Sequence, residues 1–255
     1  MPFATASDGT RLAYEICGDG DALLLVAGQG QDRHMWDYVL PDFVSRHRVI
    51  RFDHRGTGES DKPADPPYST RGFADDAIAV LDEAGIDRAQ VYGISMGGRV
   101  AQWLAAGHAE RVGALVLGAT TPGNAHGIAR DAEADGWMRS QDLPRIMTMI
   151  ASPEFLAAHP QAYAFRPIPL HALRLHYQAS EAHDGWDLLP RIVAPTLVIH
   201  GSDDRMNPAA NAPLLAARIP GAELAMLEGA RHGYAEEFRH EASRIVLDFL
   251  RRHPL

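Results

Sequence analysis

Short apolar runs alternate with longer helical patterns along most of this chain, and that alternation constrains the fold more than any other feature. Leu23 to Val26 is a continuous apolar run that stops at Gly28, and Arg48 to Phe52 is a second run, stopped by Asp53. Ala89 to Ile94, Ala114 to Leu117, Thr196 to Ile199 and Glu223 to Leu227 repeat the pattern. Between the runs, Thr70 to Ala84 sets Phe73, Ala77, Val80, Leu81 and Ala84 on one helical face, with Gly85 as the stop. Trp36 to Val44, Met96 to Ala109, Asn211 to Arg218 and Phe238 to Arg251 read as further helices. Strands joined through helices run parallel, and strands without polar alternation are buried on both faces. The expectation is an α/β domain: a mostly parallel central sheet with helices on both faces.

The rhythm breaks after Thr121-Pro122-Gly123. From Asn124 to about Trp186 there is no strong strand, and prolines at 144, 153, 160, 167 and 169 cut the segment into short helices. The expected partition of the 255 residues is therefore a core, 1–121 and 188–255, interrupted by a small helical insertion, 122–187.

Composition removes several functions. Apolar residues make up 46% and charged residues 22%, ordinary for a globular chain and unlike a disordered one. The net charge of −9 makes a poor partner for nucleic acid, whose affinity rests on clustered Lys and Arg. The longest apolar run, Ala22 to Ala27, is far too short to span a bilayer, and Met-Pro-Phe-Ala-Thr lacks the features of a signal peptide. The single cysteine, Cys17, excludes an internal disulfide and reads as a small packed residue. A cytoplasmic location is the expectation, with no membrane or nucleic-acid partner. Oligomeric state has no sequence signature.

Val91-Tyr92-Gly93-Ile94-Ser95-Met96-Gly97-Gly98 carries the strongest chemical signal. A strand runs straight into Gly-x-Ser-x-Gly-Gly and a helix follows at once, the context of a nucleophilic serine on a sharp turn. Strand and helix crowd each other two positions before and two after Ser95, where Gly93 and Gly97 stand. Serine needs a base held by a carboxylate. Downstream, one strand ends in His200-Gly201-Ser202-Asp203-Asp204, and the next ends in Glu228-Gly229-Ala230-Arg231-His232-Gly233. An acid and a histidine thus follow the carboxyl ends of two successive strands, where the functional groups of an open α/β sheet converge. Spacing alone leaves Asp203 and Asp204 open as the acid.

Acyl transfer also needs donors for an oxyanion. One is expected at the N–H of Met96, the residue after the nucleophile. The other belongs to the loop Ala27-Gly28-Gln29-Gly30, with the N–H of Gln29 first and Gly30 second. Gly28-x-Gly30 with Asp53 downstream imitates a dinucleotide fingerprint, but position 33 is arginine instead of the third glycine. His171 and His176 lie five apart, off one helical face, and no Cys or His-Glu-x-x-His set exists, so neither metal nor cofactor is expected. Asp53-His54-Arg55-Gly56 reads as a structural turn held by Asp53 and Arg55. Gly28, Gly30, His126, Trp137, Met147 and Tyr163 are the candidates for lining a partly apolar pocket. Taken singly, Trp137, Met147 and Tyr163 fit the insertion's own core better.

These residues together resemble the α/β-hydrolase superfamily over essentially the whole chain: the Ala27 to Gly30 loop, the Asp53 to Ser60 turn, Gly93 to Gly98, Gly201 to Asp204, and Gly229 to Gly233. Within it, Gly93 to Leu117, with Ala101-Gln102-Trp103-Leu104-Ala105 and Glu110-Arg111-Val112, is most similar to 3-oxoadipate enol-lactonases and related small esterases, and cofactor-free haloperoxidase-type esterases also carry Gly-x-Ser-Met-Gly-Gly. The resemblance implies Ser95, Asp204 and His232 as a catalytic triad, residues 122–187 as a cap, and hydrolysis of a small to medium ester or lactone without a cofactor. It leaves carbon–carbon bond hydrolysis, perhydrolysis and slow-turnover ligand reception as alternatives on the same triad. Many relatives carry histidine before the oxyanion glycine, whereas this chain has Ala27. Serine at 95 separates it from haloalkane dehalogenases and epoxide hydrolases of the fold, which use aspartate there.

Overall fold

The computed structural model describes residues 1–65, 68–140, 142–163 and 166–255. The chain opens with β1 (Phe3–Thr5), β2 (Arg11–Cys17) and β3 (Asp21–Val26), followed by α1 (Leu40–Val44), β4 (His47–Phe52) and α2 (Thr70–Glu83). Then come β5 (Ala89–Ile94), α3 (Met96–Gly107), β6 (Val112–Gly118) and four short helices: α4 (Ala132–Ser140), α5 (Leu143–Ile150), α6 (Pro153–Ala158) and α7 (Leu170–Glu181). The rest is β7 (Thr196–Gly201), α8 (Asn211–Arg218), β8 (Glu223–Leu227), α9 (Tyr234–Glu237) and α10 (Arg239–Arg252).

The eight strands form one sheet in the order β1-β2-β4-β3-β5-β6-β7-β8. From β4 to β8 every neighbour is parallel, so the carboxyl ends of β3, β5, β7 and β8 open on the same edge. Leu24 of β3 sits between Ile50 of β4 and Val91 of β5. One layer of the core packs Phe73, Val80 and Leu81 of α2 and Val100 and Leu104 of α3 on the sheet. The other packs Trp36, Phe43, Tyr92, Val246 and Phe249 on the opposite face, under α1 and α10. Burial on both faces is why the inner strands read as unbroken apolar runs.

Local signals place the helix ends. Ser69 has extended backbone and its Oγ accepts the Gly72 N–H at 2.9 Å, while Gly85 takes φ +66° past the far end of α2. Two departures from the expected elements have physical reasons. The span Trp36 to Val44 is not one helix: a 3₁₀ turn covers Arg33–Trp36 and α1 restarts at Leu40, with Pro41 in its first turn. Proline tolerates that position because it lacks the N–H an interior residue would donate. The two amino-terminal strands were not foreseen, because Arg11 and Glu15 interrupt the apolar pattern of β2, which pairs antiparallel with β4 at Tyr14–Phe52.

Helices α4 to α7 fill the interval between β6 and β7. The two ends of that interval meet: Gly123 and Asp184 form a β-bridge, and Gly185 N–H donates to the Pro122 carbonyl at 2.8 Å. Arg99 of α3, fully buried, donates to Ser180 Oγ of α7 at 3.0 Å. Among the described residues no helix is long and apolar enough to cross a membrane.

Candidate active site

Ser95 stands between the end of β5 and the start of α3 with φ 59° and ψ −120°, a left-handed backbone that a non-glycine residue adopts only where its surroundings enforce it. Those surroundings are tight. A β-carbon at Gly93 would collide with the Gly97 carbonyl, and one at Gly97 would collide with the carbonyls of Val26 and Ala27. A β-carbon at Gly98 would lie 2.6 Å from Thr120 Cβ. The third glycine of the motif therefore makes room for Thr120, a residue without a signature of its own. Thr120 Oγ1 donates to the Ser95 carbonyl at 2.8 Å, and Ser95 N–H donates to the Gly118 carbonyl at 2.9 Å. The end of β6 thus braces the turn.

The two adjacent aspartates part company past β7. Asp203 stays at the surface and accepts from Ser202 Oγ at 2.9 Å. Asp204 has a fully buried side chain, and its Oδ2 lies 2.8 Å from His232 Nδ1. Its Oδ1 accepts the N–H groups of Met206 and Asn207 at 2.9 Å each. Burial pushes this carboxyl up, but the charge of His232 and the hydrogen bonds from His200 and His232 outweigh it and hold Asp204 well below the usual carboxylate range. His200, buried at the end of β7, directs Nε2 at Asp204 Oδ2 (3.1 Å) and at the Asn207 carbonyl (2.8 Å).

His232 sits on the loop beyond β8, held by the interval between β6 and β7. Its N–H donates to the Met149 carbonyl (3.1 Å), and Gly233 N–H donates to the Ile150 carbonyl (2.7 Å). Tyr163 Oη donates to the Gly233 carbonyl at 2.7 Å. Ser95, Asp204 and His232 thus all follow the carboxyl ends of parallel strands on one sheet edge. The serine–histidine contact is not among the hydrogen bonds of the described residues. Such contacts are commonly long before substrate binds.

The loop beyond β3 lies beside the Ser95 turn, since β3 and β5 are neighbours. A β-carbon at Gly28 would sit 3.7 Å from Ser95 Cβ. Gly28 N–H faces Met35 Sδ at 3.2 Å, and Gly30 N–H is taken by His176 Nδ1 at 3.3 Å. Among the described residues the N–H of Gln29 has no acceptor. Met96, first residue of α3, presents an N–H that has no intrahelical partner, at the positive end of the helix dipole.

Of the other candidates, Gly30, in the same loop, packs beside Leu173 of α7. His126 is exposed, stacked on Trp186 at 5.1 Å and paired with Asp184 at 3.3 Å. Trp137 lies beneath the guanidinium groups of Arg205 (5.0 Å) and Arg145 (5.6 Å). Met147 is half-buried in α5. A cleft of about 470 Å³ beside the loop after β7 is lined by Met149, Pro153, Asp203, Asp204 and Arg205 among others; Ser95 and His232 are not in its lining. Asp53 is buried in an ion pair with Arg33 (2.5 Å), the arginine standing where a dinucleotide fingerprint would need glycine. No group of three His, Cys, Asp or Glu able to hold a metal ion occurs among the described residues. Thr120, His200, His54 and His176 were not singled out for this site in the sequence. For His176 a signal existed: with Ala172, Ala179 and Ser180 it occupies the buried stripe of α7 at i, i+4, i+7 and i+8, an odd place for an imidazole.

Comparison with known proteins points one way. A family model described as alpha/beta hydrolase fold matches residues 21–157. The chain is 30% identical to a protein of Azorhizobium caulinodans provisionally named carbamate hydrolase RutD, over 98% of both chains. It is 30% identical to 3-oxoadipate enol-lactonase 2 of Acinetobacter baylyi, over 96% of both. The crystal structure of a hydrolase from Pseudomonas aeruginosa superposes with a TM-score of 0.85 at 31% identity, covering 97% of each chain.

Proposed function

The chain belongs to the α/β-hydrolase family, and from that premise we propose that it is a serine hydrolase opening a small to medium carboxylic ester or lactone through an acyl-enzyme on Ser95. The observation that carries this reading is the buried Asp204–His232 pair, 2.8 Å apart, on the sheet edge where Ser95 is held in its left-handed turn. A carboxylate facing Nδ1 fixes the tautomer: the proton is on Nδ1, and Nε2 is free to accept.

As Ser95 Oγ attacks the carbonyl carbon, His232 Nε2 takes its proton, and Asp204 stabilises the imidazolium. The oxyanion accepts the N–H groups of Met96 and Gln29. Gln29 is favoured over Gly30 because the Gly30 N–H already has its acceptor in His176. Collapse breaks the carbon–oxygen bond of the alcohol, which leaves with the proton from His232; in a lactone it stays tethered. Water then gives a proton to His232 and attacks the acyl-enzyme, and Ser95 recovers its proton as the acid departs. Residues 122–187 act as a cap over this edge, supported by three hydrogen bonds: His232 and Gly233 donate their N–H groups to the Met149 and Ile150 carbonyls, and Tyr163 Oη donates to the Gly233 carbonyl.

Carbamates are the second substrate class, favoured by the name of one relative; the same attack then gives a carbamoyl-enzyme. The test is a panel of chromogenic esters, lactones and aryl carbamates, with fluorophosphonate labelling of Ser95. Wild type should turn over and label, and Ser95→Ala should do neither while keeping its melting temperature. Undiminished turnover by Ser95→Ala would overturn the mechanism, and an intact wild type that does not label would favour ligand reception.

A further inference from the structure

Two imidazoles grip the oxyanion loop from opposite ends. His54, fully buried beyond β4, lies with Nε2 3.0 Å from the Ala27 carbonyl, so that nitrogen carries the proton and donates. His176 comes from α7 on the other side. Its Nε2 lies 2.8 Å from the Arg55 carbonyl and its Nδ1 lies 3.3 Å from the Gly30 nitrogen. A carbonyl can only accept, so Nε2 bears the hydrogen and, in a neutral ring, Nδ1 accepts the Gly30 N–H. Burial drives both imidazoles towards the neutral form that this pattern needs: it lowers His54 to about 4 and His176 to about 3, the latter helped by repulsion from His54.

The pocket around His176 is built for a ring. Phe73, Tyr68 and His54 surround it with centroids at 5.0, 5.7 and 6.0 Å. Gly56 passes so close that a β-carbon there would lie 3.1 Å from His176 Nε2, and its φ is +90°. An aliphatic side chain would satisfy the apolar stripe of α7 equally well. An imidazole adds one acceptor and one donor, and both are used on backbone groups of other elements.

We infer that His176 is a positioning residue for the oxyanion hole: it occupies the Gly30 N–H, ties the 27–30 loop to the Arg55 turn and to α7, and leaves Gln29 N–H as the loop's free donor. This rests on the acyl-transfer reading above. A loop clamped at Ala27 and Gly30 cannot rotate its peptide groups away from a developing negative charge, and such preorganisation is what makes an oxyanion donor effective.

The two nitrogens can be separated by substitution. His176→Asn places an amide oxygen near the position of Nδ1, keeping the acceptor for Gly30 and losing the donor to Arg55. His176→Gln places an amide nitrogen near the position of Nε2, keeping that donor and losing the acceptor. His176→Gln should lower kcat on a chromogenic ester by about tenfold or more with KM little changed, and should speed hydrogen exchange of the amides in residues 27–31. His176→Asn should restore most of kcat and the exchange protection. If the two variants lose kcat equally, or if exchange in 27–31 is unchanged in His176→Gln, the inference is overturned. The exchange experiment needs no turnover, so it decides the role of His176 even if wild type proves inactive on every ester and unlabelled at Ser95, which would instead sink the acyl-transfer reading.

Discussion

Replacing Asp204 by asparagine isolates the part of the site that sets the protonation of His232. The substitution changes one oxygen to a nitrogen and leaves volume and shape intact. Oδ1 already accepts two backbone N–H groups, from Met206 and Asn207 at 2.9 Å, and an amide nitrogen there would face two donors. The carboxamide therefore keeps its oxygen on that side and turns its NH₂ towards His232 Nδ1, 2.8 Å away in the parent. Facing a donor, the imidazole puts its proton on Nε2, the nitrogen that must receive the Ser95 proton. His200 keeps a partner in the Asn207 carbonyl at 2.8 Å, so no buried donor is stranded on that account. The expected loss is about 10⁴-fold in kcat, equivalent to about 5 kcal/mol of transition-state stabilisation. The assay is single-substrate kinetics on a chromogenic ester near pH 7, with a thermal melt alongside. A variant that melts with the parent and keeps kcat within tenfold would refute both the tautomer argument and the choice of Asp204 as the acid.

Gly97→Ala should destabilise by about 1–3 kcal/mol or more, because its β-carbon meets the rigid carbonyls of Val26 and Ala27. It should also abolish ester turnover by displacing the loop that begins at Ala27. Gly107→Ala, with nothing within 4 Å of its β-carbon, is the control and should melt no lower than the parent; equal behaviour of the two variants would contradict the crowding argument. Glu236 supplies a pH dependence of stability. Burial pushes its carboxyl up from 4.5 to about 8, against smaller opposing contributions from its own backbone amide and from Tyr163. The native state then holds one proton more than the unfolded chain between those values. Stability from this group is greatest below pH 4.5, falls by about 1.4 kcal/mol per pH unit through the window, and levels off above pH 8. Glu236→Gln removes that slope, so its melting temperature should gain on the parent steadily from pH 5 to pH 8; parallel melting curves across that range would refute the buried neutral acid.

What could be read from the sequence divides by the range of the constraint. The turn at Ser95 was legible because its cause is local. A strand meets a helix within one residue, and only glycine fits at 93 and 97, where any β-carbon runs into backbone. The inner strands were legible because burial on both faces leaves no polar position, as in Leu23 to Val26. Where a constraint arises from chains distant in sequence, no local pattern carries it. β2 hides behind Arg11 and Glu15, and it exists because β4 offers it an antiparallel edge. Asp203 and Asp204 are equivalent in spacing; what separates them is which one the end of β7 turns inward, towards a histidine 28 residues further on. The oxyanion loop shows the same limit. Ala27 brings the loop no side-chain hydrogen bond of its own. The side chains that hold the loop lie 27 residues from Ala27 and 146 from Gly30, in His54 and His176. By itself His54 reads as part of a polar turn and His176 as a stray polar residue in an apolar stripe. Their contact with one loop exists only once α7 is laid across the loop beyond β3. A buried neutral histidine whose two nitrogens are both spent on backbone is therefore best sought by asking which catalytic loop lacks an anchor, and then which imidazole the fold brings to it.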